Sequence, residues 1–151
     1  MKPILDACCG ARMFYFNKNN PNVFFMDNRE VSTFLCDGRK FEIKPDIIGD
    51  FKNINFPDES FYLVIFDPPH LIKLGENSWL SIKYGKLPKY WQSELKQGFN
   101  ECWRILKKGG TLLFKWNETD VPVKTVIDLF EVEPKGIKHI GLFILRRLRD
   151  A

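Results

Sequence analysis

The continuous apolar run Phe61–Phe66, followed at once by Asp67-Pro68-Pro69-His70, constrains the fold of this chain more than any other feature. Six successive apolar residues are typical of a central strand that is buried on both faces of a parallel sheet. Two prolines then forbid further ladder pairing, because proline has no backbone N–H to donate. The segment therefore predicts a buried strand that stops abruptly, with an acid just beyond its end.

Other short apolar runs alternate with helical patterns along the chain, as in β-α-β units. The further predicted strands lie at 4–8, 23–26, 45–50 and 111–116, with two more between 131 and 148. Predicted helices lie at 12–18, in part of 29–36, at 91–106 and at 122–130. The pattern predicts an α/β, Rossmann-like fold, with a mostly parallel sheet of about seven strands and helices on both faces.

Length and composition place the chain among single globular domains. It has 151 residues, of which 44% are hydrophobic and 28% are charged, and its net charge is +4. No apolar run approaches the roughly 20 residues of a membrane span, so we expect one cytoplasmic domain over 1–151. The four cysteines lack metal-ligand spacing, which favours reduced structural thiols and no metal.

An aspartate stands at or near the end of four predicted strands, and these are Asp6, Asp27, Asp50 and Asp67. Ligands of open parallel sheets bind beyond the carboxyl ends of the strands, where such side chains would meet. Asp27 follows Gly10 by 17 residues, close to the spacing at which an acid accepts hydrogen bonds from a ribose diol. Asp27 and Asp50 could instead cap a turn or a helix.

With these motifs the chain resembles class I S-adenosylmethionine-dependent methyltransferases, over about residues 3–118. It is most similar to small phage and prophage amino-methyltransferases of nucleic acid bases, whose Asp-Pro-Pro-aromatic motif matches Asp67-Pro68-Pro69-His70. The segment 106–111 also resembles the one that precedes the fifth strand in that superfamily. The resemblance implies transfer of a methyl group from S-adenosylmethionine, with S-adenosylhomocysteine as product and no metal.

The resemblance also implies roles for individual residues. Asp27 would hold the ribose hydroxyls, Asp50 and Phe51 would border the adenine, and Asp67 would reach both cofactor and substrate. The methionine part would lie against Asp6, Ala7, Cys8, Gly10 and Arg12. Arg12 stands where the family has a glycine, and it would pair either with the cofactor carboxylate or with a substrate phosphate.

The catalytic assignment rests on the same motif. Asp67 and the Pro68 carbonyl would accept hydrogen bonds from the target amine, and the double proline of Pro68 and Pro69 would keep these acceptors fixed. His70 would stack on the target base where the family more often has a larger aromatic ring. A base inside a duplex is out of reach, so the target is flipped or single-stranded.

The segment 71–90 is rich in lysine and aromatic residues and is predicted to be a mobile substrate loop. The predicted substrate contacts are His70, Lys73, Trp79, Lys83, Tyr84, Trp116 and Asn117. The chain has no room for a separate target-recognition domain, so this loop, a homodimer or a partner subunit would supply specificity. Adenine in DNA is the first-choice substrate, before cytosine.

Two alternatives stay open. One keeps the cofactor and changes the substrate to RNA, a protein or a small molecule. The other is a degenerate methyltransferase fold that serves as a binding or regulatory subunit, which the broken glycine spacing at Arg12 favours. The intact Asp67-Pro68-Pro69 argues against the second.

Overall fold

The computed structural model of the chain describes residues 1–75, 78–131 and, as backbone, 142–146. The strands are β1 (Ile4–Asp6), β2 (Val23–Asp27), β3 (Val31–Phe34), β4 (Lys40–Ile43), β5 (Ile47–Ile48), β6 (Phe61–Phe66), β7 (Leu106–Lys115) and β8 (Leu142–Arg146). The helices are α1 (Trp79–Tyr84), α2 (Trp91–Ile105) and α3 (Val123–Ile127).

The predicted α/β architecture with a mostly parallel sheet is confirmed. The main sheet has the order β5-β2-β1-β6-β7-β8, and only β8 runs antiparallel to its neighbour. β6 lies between β1 and β7, with Val64 opposite both Leu5 and Leu112, and all three side chains are inaccessible to solvent. The continuous apolar run therefore forms the central strand that it predicts.

The strand count differs from the predicted seven. The part of the chain that the structure describes contributes six strands to this sheet. Of the two strands expected between 131 and 148, β8 is present, and the other falls on 132–141, outside the described residues.

Two predicted helices are wrong. The segment 12–18 forms turns, because Arg12 has a left-handed backbone (φ 54°) that a helix does not accommodate. The segment 29–36 instead contains β3, which pairs with β4 in an antiparallel hairpin. Val31 and Thr33 are β-branched and favour a strand, and Gly38 (φ 83°) supplies the turn.

The helix predicted at 91–106 is confirmed as α2, with one change at its end. Leu95, Phe99 and Cys102 are buried along one face, as the periodicity predicts. α2 ends at Ile105 and Leu106 already begins β7, so the lysine and glycine residues at 107–110 belong to the strand. Leu106 pairs with Phe61 of β6 and Thr111 pairs with Leu63, so the register shifts across residues 107–110 and the strand is irregular there.

Helices were expected on both faces of the sheet, but within the described ranges the helices that join the sheet core, α2 and α3, pack on one face. Buried residues of α2 and α3 belong to one core cluster with alternate residues of β1, β2, β6 and β7. On the opposite face, Val23 and Phe25 of β2 are covered by the irregular segment 7–22, whose Tyr15 ring lies 4.9 Å from the ring of Phe25. A loop with an aromatic side chain thus covers this face of β2, where a helix was expected.

The helix α2 touches the sheet most closely at Gly98. A Cβ added there would lie 2.7 Å from Phe51 Cε2 and 3.0 Å from Phe66 Cζ. We expect Gly98→Ala to lower the free energy of unfolding by about 1–2 kcal/mol, since overpacking outweighs the gain in helix propensity. Urea denaturation measures this, with the exposed Asn100→Ala on the same helix as control. A Gly98→Ala variant more stable than the wild type would contradict the close contact.

The segment 71–90, expected to be irregular, contains the short helix α1. None of the helices among the described residues is both long and apolar enough to cross a lipid bilayer.

Candidate functional site

A cavity of about 1080 Å³ opens beyond the carboxyl ends of β1, β2, β6 and β7. This is the edge of the sheet at which the sequence predicts ligand binding. The predicted site residues among its lining are Asp6, Ala7, Cys8, Gly10, Asp27, Phe51, Asp67, Pro68, Pro69, His70, Lys83, Tyr84, Trp116 and Asn117. Residues from six separate parts of the chain therefore border one space.

Asp27 lies buried at the end of β2 and is held against the first loop. Its Oδ2 accepts a hydrogen bond from the Gly10 N–H at 2.9 Å, and its Oδ1 accepts one from the Arg29 N–H at 3.0 Å. The Arg29 Nε also donates to Oδ1, over a longer distance of 3.4 Å. The two carboxylate oxygens thus accept three hydrogen bonds and retain further acceptor capacity. Gly10 has φ 50° and open space where a Cβ would stand.

Asp6 at the end of β1 is the most deeply buried carboxyl of the site, with 3% of its surface exposed. It accepts hydrogen bonds from the Tyr15 hydroxyl at 2.9 Å and from the Cys8 N–H at 3.2 Å. Burial raises the pKa of Asp6 from 3.8 to about 7, although both hydrogen bonds oppose the shift. The group therefore titrates near neutral pH.

Asp67 at the end of β6 pairs with Lys115 at the end of β7, with 2.9 Å between Oδ2 and Nζ. Burial raises the pKa of Asp67, and the Lys115 ammonium opposes this shift. Pro68 is buried, and the rings of Pro68 and Pro69 restrict the backbone of the motif. The arrangement presents a carboxylate on a stiff backbone to the cavity.

His70 lies between two aromatic rings, with centroids 6.0 Å from Tyr84 and 6.3 Å from Trp116. Burial lowers the pKa of His70, so its ring is neutral at neutral pH. The Trp116 indole N–H donates to the Val121 carbonyl, which fixes that ring as a wall. The three rings form an aromatic side of the cavity next to Asp67.

Arg12 has a structural role that the sequence did not indicate. Its guanidinium donates to the carbonyls of Lys18 and Lys44, both at 2.7 Å, and its Cζ lies 3.9 Å above the Phe25 ring. A salt bridge to Asp46 adds a further contact. The Arg12 guanidinium is therefore engaged in contacts within the chain, and Arg12 lines a neighbouring cleft instead of the cavity. Its two predicted ligand roles stay predictions.

Three other predicted residues do not line the cavity. The Asp50 carboxylate accepts a hydrogen bond from the Lys52 N–H at 2.8 Å, as a turn-capping acid does. The Trp79 ring is half exposed on α1 and contacts the Lys83 ammonium at 5.7 Å. Lys73 is exposed outside the cavity, and only its backbone N–H is fixed, by Asp120.

Sequence reasoning missed several side chains that shape the site. Tyr15 holds Asp6, Lys115 holds Asp67, and Arg29 joins Asp27 to α1 by donating to the Ile82 carbonyl at 3.0 Å. Position next to a strand end was a usable signal for Arg29 and Lys115. Nothing in the local sequence of Tyr15 points to Asp6. Within the described residues, no three His, Cys, Asp or Glu side chains are grouped as metal ligands.

Comparison with known proteins finds solved structures that resemble the chain, and PH0226 is among them. PH0226 protein from Pyrococcus horikoshii OT3 is 19% identical in sequence, with a TM-score of 0.45. The similarity covers 83% of this chain and 51% of that protein, so the chain spans about half its length. No family profile and no curated protein matches the sequence.

Proposed function

We propose that the chain is an S-adenosylmethionine-dependent methyltransferase that acts on the exocyclic amine of a nucleic acid base, with adenine in DNA as first choice. One observation carries the proposal. Asp67-Pro68-Pro69-His70 ends the central strand and borders the same cavity as Asp27, Gly10 and Asp6. The residues proposed to bind the methyl donor and those proposed to bind the methyl-accepting base thus line the same cavity.

The residues at the ends of β1 and β2 fit the donor. Asp27 is a buried carboxylate with remaining acceptor capacity, as a ribose diol requires. Gly10 leaves open space above its backbone, and Phe51 offers an apolar wall to an adenine ring. When bound, the cofactor supplies an electrophilic methyl group on a sulfonium centre.

The residues at the end of β6 fit an amine acceptor. The lone pair of an adenine or cytosine amine is delocalised into the ring, so the nitrogen needs orientation more than a strong base. Asp67 and the Pro68 carbonyl accept hydrogen bonds from its two N–H groups, and the carboxylate favours the positive charge that develops on nitrogen. His70, with a neutral ring, stacks on the base beside Trp116.

Cofactor binding is tested by calorimetry with S-adenosylhomocysteine. We expect Asp27→Ala to weaken binding by roughly 1.5–3 kcal/mol, the usual size of a hydrogen bond to a charged group. Asp50→Ala is the matched control, because its carboxylate caps Lys52 outside the cavity, and its affinity should stay within about twofold of the wild type. Absence of heat from the wild type at millimolar ligand would refute the proposal.

A second candidate is a degenerate fold that binds without catalysis. The contact that favours it is the Lys115 ammonium, which occupies one of the Asp67 oxygens that an amine would need. Incubation with labelled cofactor and pools of DNA, RNA and protein separates the two. Cofactor binding without product in any pool would support the second candidate, and labelled RNA or protein would instead redirect the substrate.

A further inference from the structure

A second concave surface adjoins the cavity, and we call it the basic cleft. It has a volume of about 680 Å³ and lies between the segment 10–19 and the β3–β4 hairpin with its continuation to 46. Its charged lining residues are Arg12, Lys18, Arg39, Lys40, Glu42, Lys44, Asp46 and Lys83. Six of these eight side chains are cationic and two are anionic, in a chain whose overall charge is only +4.

Not all of these charges are equally available. Arg39 pairs with Asp37, and Lys40 pairs with Glu42. The Arg12 guanidinium is already hydrogen-bonded to two carbonyls and paired with Asp46. Lys18 and Lys44 are exposed and form no ion pair with any residue in the described ranges 1–75 and 78–131. These two ammonium groups are the cations best placed to attract an anion from solution.

Arg12 explains why these two lysines flank the same cleft. One of its terminal nitrogens donates to the Lys18 carbonyl and the other to the Lys44 carbonyl. Lys18 and Lys44 lie 26 positions apart in sequence, yet one guanidinium holds the backbone carbonyls of both. The left-handed conformation of Arg12 directs the chain into this arrangement. The positive surface is therefore built by the fold and is not a run of charges in the sequence.

The cleft and the cavity are neighbours that share part of their walls. Gly10, Ala11, Met13 and Lys83 line both of them. Exposed aromatic rings stand close by in the chain, since Phe14 borders the cavity and Phe34 precedes the lining residue Leu35. Cations along a backbone path, combined with exposed rings on which bases stack, are the usual composition of single-stranded nucleic acid surfaces.

We propose that the basic cleft binds the phosphodiester backbone of a single strand next to the base that enters the cavity. The inference rests on the proposed function, since the cavity must receive a base. A volume within the usual range of small-ligand pockets has room for a short stretch of one strand. A base must also leave a duplex before it can reach Asp67.

The test is fluorescence anisotropy with a labelled 20-nucleotide single strand, its duplex and the matching RNA strand, between 50 and 200 mM KCl. We expect the double variant Lys18→Gln/Lys44→Gln to bind the single strand about tenfold more weakly than the wild type. The slope of the logarithm of the binding constant against the logarithm of the salt concentration should become less steep by about 1.4. Each lost phosphate contact to a single strand contributes roughly 0.7 to this slope. The DNA and RNA arms identify the sugar that the cleft prefers.

The matched control is Lys96→Gln/Lys107→Gln, which removes equal charge from α2 and from the amino end of β7, away from the cleft. Its affinity should stay within about twofold of the wild type. Equal weakening by both double variants would overturn the inference, and so would duplex or polyglutamate binding as tight as that of the single strand.

Calorimetry with S-adenosylhomocysteine on the same proteins separates this inference from the proposed function. We expect the cleft variant to bind the ligand as the wild type does. Ligand binding by the wild type together with undiminished strand binding by the cleft variant overturns the inference and leaves the proposed function in place. A wild type that binds the strand through the cleft but not the ligand sustains the cleft and overturns the proposed function.

Discussion

Asp67→Ala is expected to reduce methyl transfer by at least about 100-fold, the effect typical of removing one fixed polar group at a reacting atom. Alanine removes the acceptor that orients the amine and the charge that stabilises developing positive charge on nitrogen. Affinity for S-adenosylhomocysteine should change only a few-fold, because Asp27 at the end of β2 keeps its contacts with Gly10. Mass spectrometry of nucleosides from cells that express each variant measures the product.

Two further variants separate orientation from charge. Asp67→Asn keeps one acceptor oxygen, so transfer should fall less than in Asp67→Ala. The Lys115 ammonium lowers the pKa of Asp67 against the effect of burial. Lys115→Met removes this cation, and the pKa of Asp67 should therefore rise further. Transfer then persists at alkaline pH, and the acid limb of the pH profile moves to higher pH. Undiminished product from Asp67→Ala would show that the acceptor role belongs to another residue.

The second large effect concerns Asp6 and the pH dependence of stability. Its pKa is about 7 in the folded protein, against an ordinary value of 3.8 in the unfolded chain. Between these values the folded state keeps a proton that the unfolded state has lost, so stability falls as pH rises from about 4 to 7. The burial of Asp6 as a carboxylate then costs on the order of 4 kcal/mol above pH 7.

The variant Asp6→Asn removes this titration. The free energy of unfolding of the variant minus that of the wild type should increase by about 2–3 kcal/mol between pH 5 and pH 8. Asparagine also removes one acceptor oxygen that serves Tyr15 or Cys8. This loss changes the difference in the free energy of unfolding by the same amount at every pH, so the pH dependence of the difference is unaffected. Urea denaturation at each pH measures it.

Asp37→Asn is the control for that series. The Arg39 side chain lowers the pKa of Asp37, which therefore titrates below this pH range. Its difference from the wild type should stay flat between pH 5 and pH 8. A parallel pair of curves for Asp6→Asn and the wild type would mean that Asp6 ionises normally in the folded protein.

Local sequence determined the strands that carry the site. Apolar runs that end at Asp6, Asp27 and Asp67 need no knowledge of distant residues, because hydrophobic burial and proline geometry act within a few positions. The same logic placed α2, whose apolar periodicity spans four turns. These elements fixed the edge of the sheet at which the cavity lies.

The hairpin of β3 and β4 shows where local patterns failed. The β-branched residues Val31 and Thr33 disfavour the helix predicted there, but they do not by themselves specify a strand. Pairing with the partner strand at 40–43 makes the segment a strand. The turns at 12–18 likewise depend on Arg12, whose partners lie as far away as Lys44 and Asp46. Propensity is a weak prior, and tertiary partners override it.

The sequence by itself determined which chemistry the rim of the sheet carries, since each acid directly follows its own strand. Only the tertiary structure decided which partners those acids have: Lys115 lies 48 positions from Asp67, and Tyr15 reaches Asp6 from a loop on the opposite face. Strand ends follow from short-range burial and backbone geometry. Charge, protonation and the basic cleft instead depend on groups that meet only after the chain has folded.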